Sequence, residues 1–197
     1  MALALPLLAG LAIAPLLGGR WSRLANVRLR WAVLFYGGLA VRFVAFPAYA
    51  LPWRTPDRAA VVLWIVSYVL LAVAVGRNLR VPGVPLVAVG LVANLAAILR
   101  NGGHMPALPS ALRAAGLHFH QSRNSIALNA PHFGWLVDRW GAPSWVPLAN
   151  VYSVGDVLIA LGGFVFALGA TGALERVRRL EVTRVAVQLL RATAQRV

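Results

Sequence analysis

Four polar residues stand where apolar ones are expected: Arg42, Asn94, Ser153 and Asp156. They interrupt or open the stretches "GLAVRFVAF", "VGLVANLAAIL" and "SVGDVLIALGG". An ionisable group at membrane depth is costly, so it faces the bundle interior, finds a partner, or lines an ion or proton path. An arginine and a carboxylate at matching depth can pair, fix helix register, or hold a substrate or proton. The expectation is an Arg42–Asp156 ion pair, with Asn94 hydrogen-bonded beside it and Ser153 on the same face.

A second set could ligate a metal. All four histidines, His104, His118, His120 and His132, fall between residues 100 and 150, with Asp138. Imidazole nitrogens and a carboxylate suit zinc or copper. However, His118 and His120 are two apart, not at the i,i+4 spacing of a helical H-E-x-x-H site, and that motif is absent. The reading taken is surface or headgroup-contacting histidines, with no metal or other cofactor; a metal site is the alternative. There is no cysteine, which excludes disulfides, thiolate nucleophiles and thiolate metal sites. No P-loop, dinucleotide fingerprint, nucleophile elbow or kinase set occurs, so nothing marks an enzyme.

The elements that must position these residues are apolar. Of 197 residues, 60% are hydrophobic and 12% charged, against about 45–50% and about 25% in soluble domains. Apolar segments occupy residues 2–17, about 31–50, 59–76, 84–99 and 151–172. The first lacks the basic start and small-residue cleavage site of a signal peptide and is read as a span. The fold class expected is therefore all-α: a polytopic helical membrane protein of about five transmembrane helices. Residues 1–172 form one transmembrane domain, which includes an outer loop over 100–150, and residues 173–197 form a basic amphipathic tail.

Helical spacing places small residues around the polar ones. Gly38, Arg42, Ala45 and Tyr49 share a stripe, as do Gly90, Asn94, Ala97 and Asn101, and Ser153, Asp156, Ala160, Gly163 and Ala167. Gly163, Ala167 and Thr171 form a small-xxx-small ladder that admits another helix closely. In the loop, Asn101, Gly102 and Gly103 are expected to end a helix with positive-φ glycines. Ser110 is expected to cap a short helix running to Leu117 and ending near Gly116, and "FGWLVDRW" to form a second short interfacial element. Trp135, Trp140 and Trp145 suit a headgroup-level aromatic belt.

The net charge is +14, and all nineteen basic residues are arginines. Twelve arginines fall on the side holding residues 20–30, 77–80 and the tail, and six on the other, with Arg42 inside a span. The positive-inside rule then puts the N-terminus outside and the tail in the cytoplasm. That charge fits anionic lipid headgroups as partner; nucleic acid is not expected, because no basic soluble domain is present. In the tail, Glu175 can reach Arg178 or Arg179, and Glu181 can reach Arg184. The tail is read as a helix lying on the membrane, with protein docking as the alternative.

Two stretches together, "NGGHMP" at 101–106 and "YSVGDVLIALG" at 152–162, resemble an uncharacterised bacterial membrane-protein family catalogued as a domain of unknown function. Its pattern is N-G-G-x-M-P, with Asn101, Gly102, Gly103, Met105 and Pro106 here, and later S-[IV]-G-D-x-L-x-A-L-G. An early "GGR…L" stretch corresponds to "GGRWSRLANVRLR", Gly18 to Arg30. Where that family often has valine after the proline this chain has Ala107, and the loop reads "HQSRNSIAL" and "LVDRW". The resemblance implies about five spans and no established activity. The function expected is a non-enzymatic accessory or scaffold subunit of a complex in the bacterial cytoplasmic membrane, working with lipid and with protein partners or further copies of itself. A small transporter or ion path through Arg42, Asn94 and Asp156 is one alternative, and a membrane enzyme at the outer lipid face is another.

Overall fold

The computed structural model describes residues 4–46, 55–118, 124–143, 145 and 150–194. Among them are α1 (Leu5–Ile13), α2 (Ala32–Ala45), α3 (Asp57–Gly76), α4 (Val84–Arg100), α5 (Pro109–Ala114), α6 (Val154–Ala170) and α7 (Ala173–Ala194). The chain is mostly helical, as expected. Between α4 and α6 lie four strands of two or three residues: β1 (Met105–Ala107), β2 (Ser125–Ala127), β3 (Trp140–Gly141) and β4 (Val151–Tyr152). β1 and β2 pair in parallel, with Met105 opposite Ser125, and Ala107 also bridges to Asp138. β3 and β4 pair antiparallel, with Trp140 opposite Tyr152.

The long helices form a row. α2 packs on α3, α3 on α4, α4 on α6, and α6 on α1. Glycines set how close α6 comes to its neighbours. A Cβ on Gly155 would meet the Asn94 amide and the Gly90 carbonyl of α4, and one on Gly162 would lie 2.7 Å from the Gly83 carbonyl. On its other side, α6 receives α1: a Cβ on Gly10 would lie 2.8 Å from Ala167 Cβ. The Gly163/Ala167 ladder therefore docks α1, and backbones this close gain dispersion that larger residues would prevent.

Only α3, with 20 residues, is by itself long and apolar enough among the described residues to cross a membrane. α6 and α7 meet that test together, but are bent by 76° between them. The helix over Leu5–Leu17, α2 and α4 are apolar and shorter. The end of the expected segment 31–50 lies outside the described residues. Gly172, with φ +78°, makes the bend, and the Arg23 guanidinium fills the space where a side chain would stand.

One end of the row is rich in arginine. Arg20 N–H bonds the Thr171 carbonyl at 2.8 Å, and Asn78 holds both the Arg30 N–H and the Arg30 carbonyl at 2.8 Å. Arg77 stacks on Trp31 with 4.2 Å to the ring centroid.

Several local expectations need correction. Ser110 does not cap α5: the helix starts at Pro109, with Leu108 as N-cap and no side-chain cap bond. Proline suits that first turn because the lost N–H has no helical acceptor there. Residues 133–140 run through turns into β3 rather than forming a discrete element. Glu175 pairs with Arg23 across the bend at 3.5 Å, not along its own helix, and both side chains are exposed, so the pair adds little. The Arg184 side chain lies outside what is described. The turn after α4 is as expected: Gly102 and Gly103 have φ +71° and +84°, and Gly103 N–H bonds the Ile98 carbonyl at 2.9 Å.

Candidate functional site

Asp156 belongs to a closed ring of hydrogen bonds at the start of α6. Ser153 is the N-cap; its Oγ accepts from Asp156 N–H at 3.0 Å, while Asp156 Oδ2 accepts from Ser153 N–H at 3.0 Å. This is a capping box, which satisfies two helix-end donors reciprocally. Asn94 of α4 completes the ring. Its Nδ2 donates to Asp156 Oδ1 at 2.9 Å, and its Oδ1 accepts from Ser153 Oγ at 2.8 Å. Asn94 and Ser153 are buried, and Asp156 is half-buried. The carboxylate also lies in the first turn, where the helix dipole favours negative charge. The Ser153-x-x-Asp156 spacing is a sequence signal for this box.

Arg42 is not part of that ring. Among the described residues no carboxylate lies within 4.0 Å of it; the ion pair at that distance is Arg23–Glu175. The expected Arg42–Asp156 pair is therefore replaced. Arg42 stacks instead on α3, 5.9 Å from the Trp64 ring centroid and 5.8 Å from that of Tyr68. The physical reason is the row itself: α2 and α6 are separated by α3 and α4, so equal depth does not bring them together. Tyr68 also engages Arg42 by a side-chain hydrogen bond. Contacts with a ring face are worth about 0.5–2 kcal/mol.

Trp64 anchors the apolar cluster beneath the loop, with Tyr68, Ala97, Ile98, Met105 and Leu136, and Phe46 meets it edge-on at 5.2 Å. Its Nε1–H is buried without a hydrogen-bond partner. Neither Trp64 nor Tyr68 stands out in the sequence, because both look like ordinary apolar-face aromatics.

The loop motif ties the end of α4 to the loop. Asn101 Nδ2 donates to the carbonyls of Ala97 and His132, and its Oδ1 accepts from His132 N–H at 3.0 Å. Gly103 lies against Val61 of α3 with no room for a side chain. Met105 enters the Trp64 cluster, and the Pro106 carbonyl accepts from Asp138 N–H at 2.9 Å. Asp138, only 6% exposed, is strapped to β1 by that bond and by Leu108 N–H on its own carbonyl at 2.9 Å. Burial, and then the charge of Asp156, push its carboxyl up to about 8.

The described histidines do not converge. Among the described residues no three of His, Cys, Asp or Glu gather as a metal site. His104 Nδ1 sits 3.2 Å from the Gly102 carbonyl, His118 is exposed beside Arg113, and His132 is exposed on its turn. His120 lies outside the described residues.

Residues 26–168 match a family described as a family of unknown function, DUF5317. The chain belongs to that family. The DUF5317 match takes in positions 101–106 and 152–162 and leaves residues 18–25 outside. An uncharacterised protein of Thermotoga maritima is 30% identical over 136 residues, covering 66% of this chain and 74% of that relative. No solved structure matches.

Asp138 gives this DUF5317 chain a pH signature. A carboxyl with a raised folded-state value binds its proton more tightly folded than unfolded. Its stabilising contribution is therefore present at acid pH and is lost as pH rises from the usual carboxylate range through about 8. Asp138→Asn is expected to flatten the fall in melting temperature between about pH 5 and about pH 9. An unchanged slope would refute the assignment.

Proposed function

We propose that the chain is an integral protein of the bacterial cytoplasmic membrane and acts without catalysis, as an accessory or scaffold subunit of a membrane complex. In this reading α1, α2, α3, α4 and α6 are inserted with the N-terminus outside. α7 lies on the anionic cytoplasmic leaflet. The observation that carries the reading is the closed Asn94–Ser153–Asp156 ring. Asn94 and Asp156, two of the three residues that suggested a transport path, are engaged with each other and with Ser153, holding α4 to α6.

Two further features support it. Large apolar side chains face outward along the row, among them Val33 at 74%, Val62 at 59% and Val92 at 60% exposed. A water-facing surface of that kind is unusual for a soluble monomer. The arginines gather at one end, as the positive-inside rule requires for α7 to be cytoplasmic.

The absence of cysteine makes the placement directly testable. In intact cells, Arg113→Cys is expected to react with a membrane-impermeant maleimide, and Arg178→Cys only after the membrane is opened. Extraction from native membranes in mild detergent is expected to yield a defined complex with a stoichiometric partner or further copies. Labelling of Arg178→Cys from outside would overturn the orientation, and a monodisperse monomer at native abundance would overturn the scaffold role.

A further inference from the structure

At the arginine-rich end, a cleft of about 400 Å³ opens where three segments meet: residues 21–28, the α3–α4 connection and the last turns of α6. Its polar side is Arg23, Asn26 and Arg28; its apolar side includes Val81, Pro82 and Phe166. The charge there is unbalanced. Arg23 shares Glu175 at 3.5 Å, and among the described residues no carboxylate lies within 4.0 Å of Arg28. Two guanidiniums and an amide therefore line the cleft, and only Arg23 has a carboxylate beside it.

Guanidinium groups bind phosphate oxygens in a bidentate fork, and they are less strongly hydrated than ammonium groups. The apolar wall gives the cleft a second character. A free inorganic anion would leave Val81 and Phe166 unused, whereas a glycerophospholipid presents a phosphate and, next to it, glycerol and methylene carbons. Basic pockets between helices on the cytoplasmic side suit anionic headgroups for this reason. The volume lies within the roughly 300–1,000 Å³ typical of small-molecule sites.

We propose that this cleft holds the phosphate headgroup of an anionic phospholipid. Arg28 and Arg23 contact the phosphate, Asn26 lies at its edge, and Phe166 and Val81 lie under the glycerol and first methylenes. The proposal rests on the membrane placement above and assigns one lipid to one site within it.

The test uses the full chain in a mild non-ionic detergent, titrated with phosphatidylglycerol, with phosphatidylcholine, or with inorganic phosphate, and read by melting temperature and native mass spectrometry. Phosphatidylglycerol is expected to bind and stabilise the wild type. Arg28→Gln is expected to weaken that binding about five- to tenfold, the scale of one lost charge-assisted contact, while melting like wild type without lipid. Arg113→Gln, at the opposite end, is expected to bind like wild type. Three results would overturn the proposal: equal phosphatidylglycerol binding by wild type and Arg28→Gln, equal stabilisation by phosphatidylcholine, or full stabilisation by inorganic phosphate alone. Each leaves the membrane placement standing, because the maleimide labelling reads that separately.

Discussion

Gly155→Val is expected to leave no stably folded protein in mild detergent. The position faces α4 at a point where even a Cβ would run into the Asn94 amide and sit 2.7 Å from the Gly90 carbonyl. Overpacking where side chains can shift costs about 1–3 kcal/mol. Here the obstacles are a backbone oxygen and an amide held by two hydrogen bonds, to Asp156 and Ser153, so the cost exceeds that range. Total stability is only about 5–15 kcal/mol. Gly37→Ala is the matched control, because a Cβ there meets nothing within 4 Å, and it is expected to be neutral. Size-exclusion chromatography with thermal melting checks both. A Gly155→Val protein that elutes and melts like wild type would show that α4 and α6 are not held at this distance.

The second large effect concerns the ring itself. Asn94→Ala removes the acceptor for Ser153 Oγ and the donor for Asp156 Oδ1 at once. A buried polar group left unsatisfied costs about 1–3 kcal/mol, so a loss of about 2 kcal/mol or more is expected. Asp156→Asn should be milder. The new amide oxygen can still accept from Ser153 N–H, and the Asn94 amide can turn over to accept from the new NH2. The cost is then about 1 kcal/mol, mainly the lost charge at the helix start. The two variants are compared by melting temperature in one detergent. The reverse order, with Asp156→Asn the more damaging, would mean that the charge of Asp156 matters beyond its hydrogen bonds and would revive the transport reading.

The Asn94, Ser153 and Asp156 grouping was legible because helical spacing and depth along the axis can be read from one sequence. Arg42 was misassigned for the complementary reason. Depth says how high a residue sits on its helix, but not which helices are neighbours around the bundle. That order depends on close approaches such as Gly90 to Gly155, which are set between segments some sixty residues apart. The turn at Gly102 and Gly103 was legible from residue type alone. The strands β1 to β4 were not: they are two or three residues long, too short for any periodicity, and β1 contains Pro106. Asp138 was visible only as a possible metal ligand. Its buried position comes from strapping to β1, a contact that no local pattern encodes.

The 76° bend after α6 has a mechanical consequence. α7, with 22 residues, extends about 33 Å from Gly172. If the two helices move as one rigid corner, a change of about 10° in the tilt of α6 carries the far tip of α7 through about 6 Å. The Arg23 guanidinium occupies the space beside Gly172 at that corner. α6 is gripped by α1 on one side and α4 on the other, so small adjustments in that grip would emerge at the arginine-rich face as a lever stroke of several ångströms.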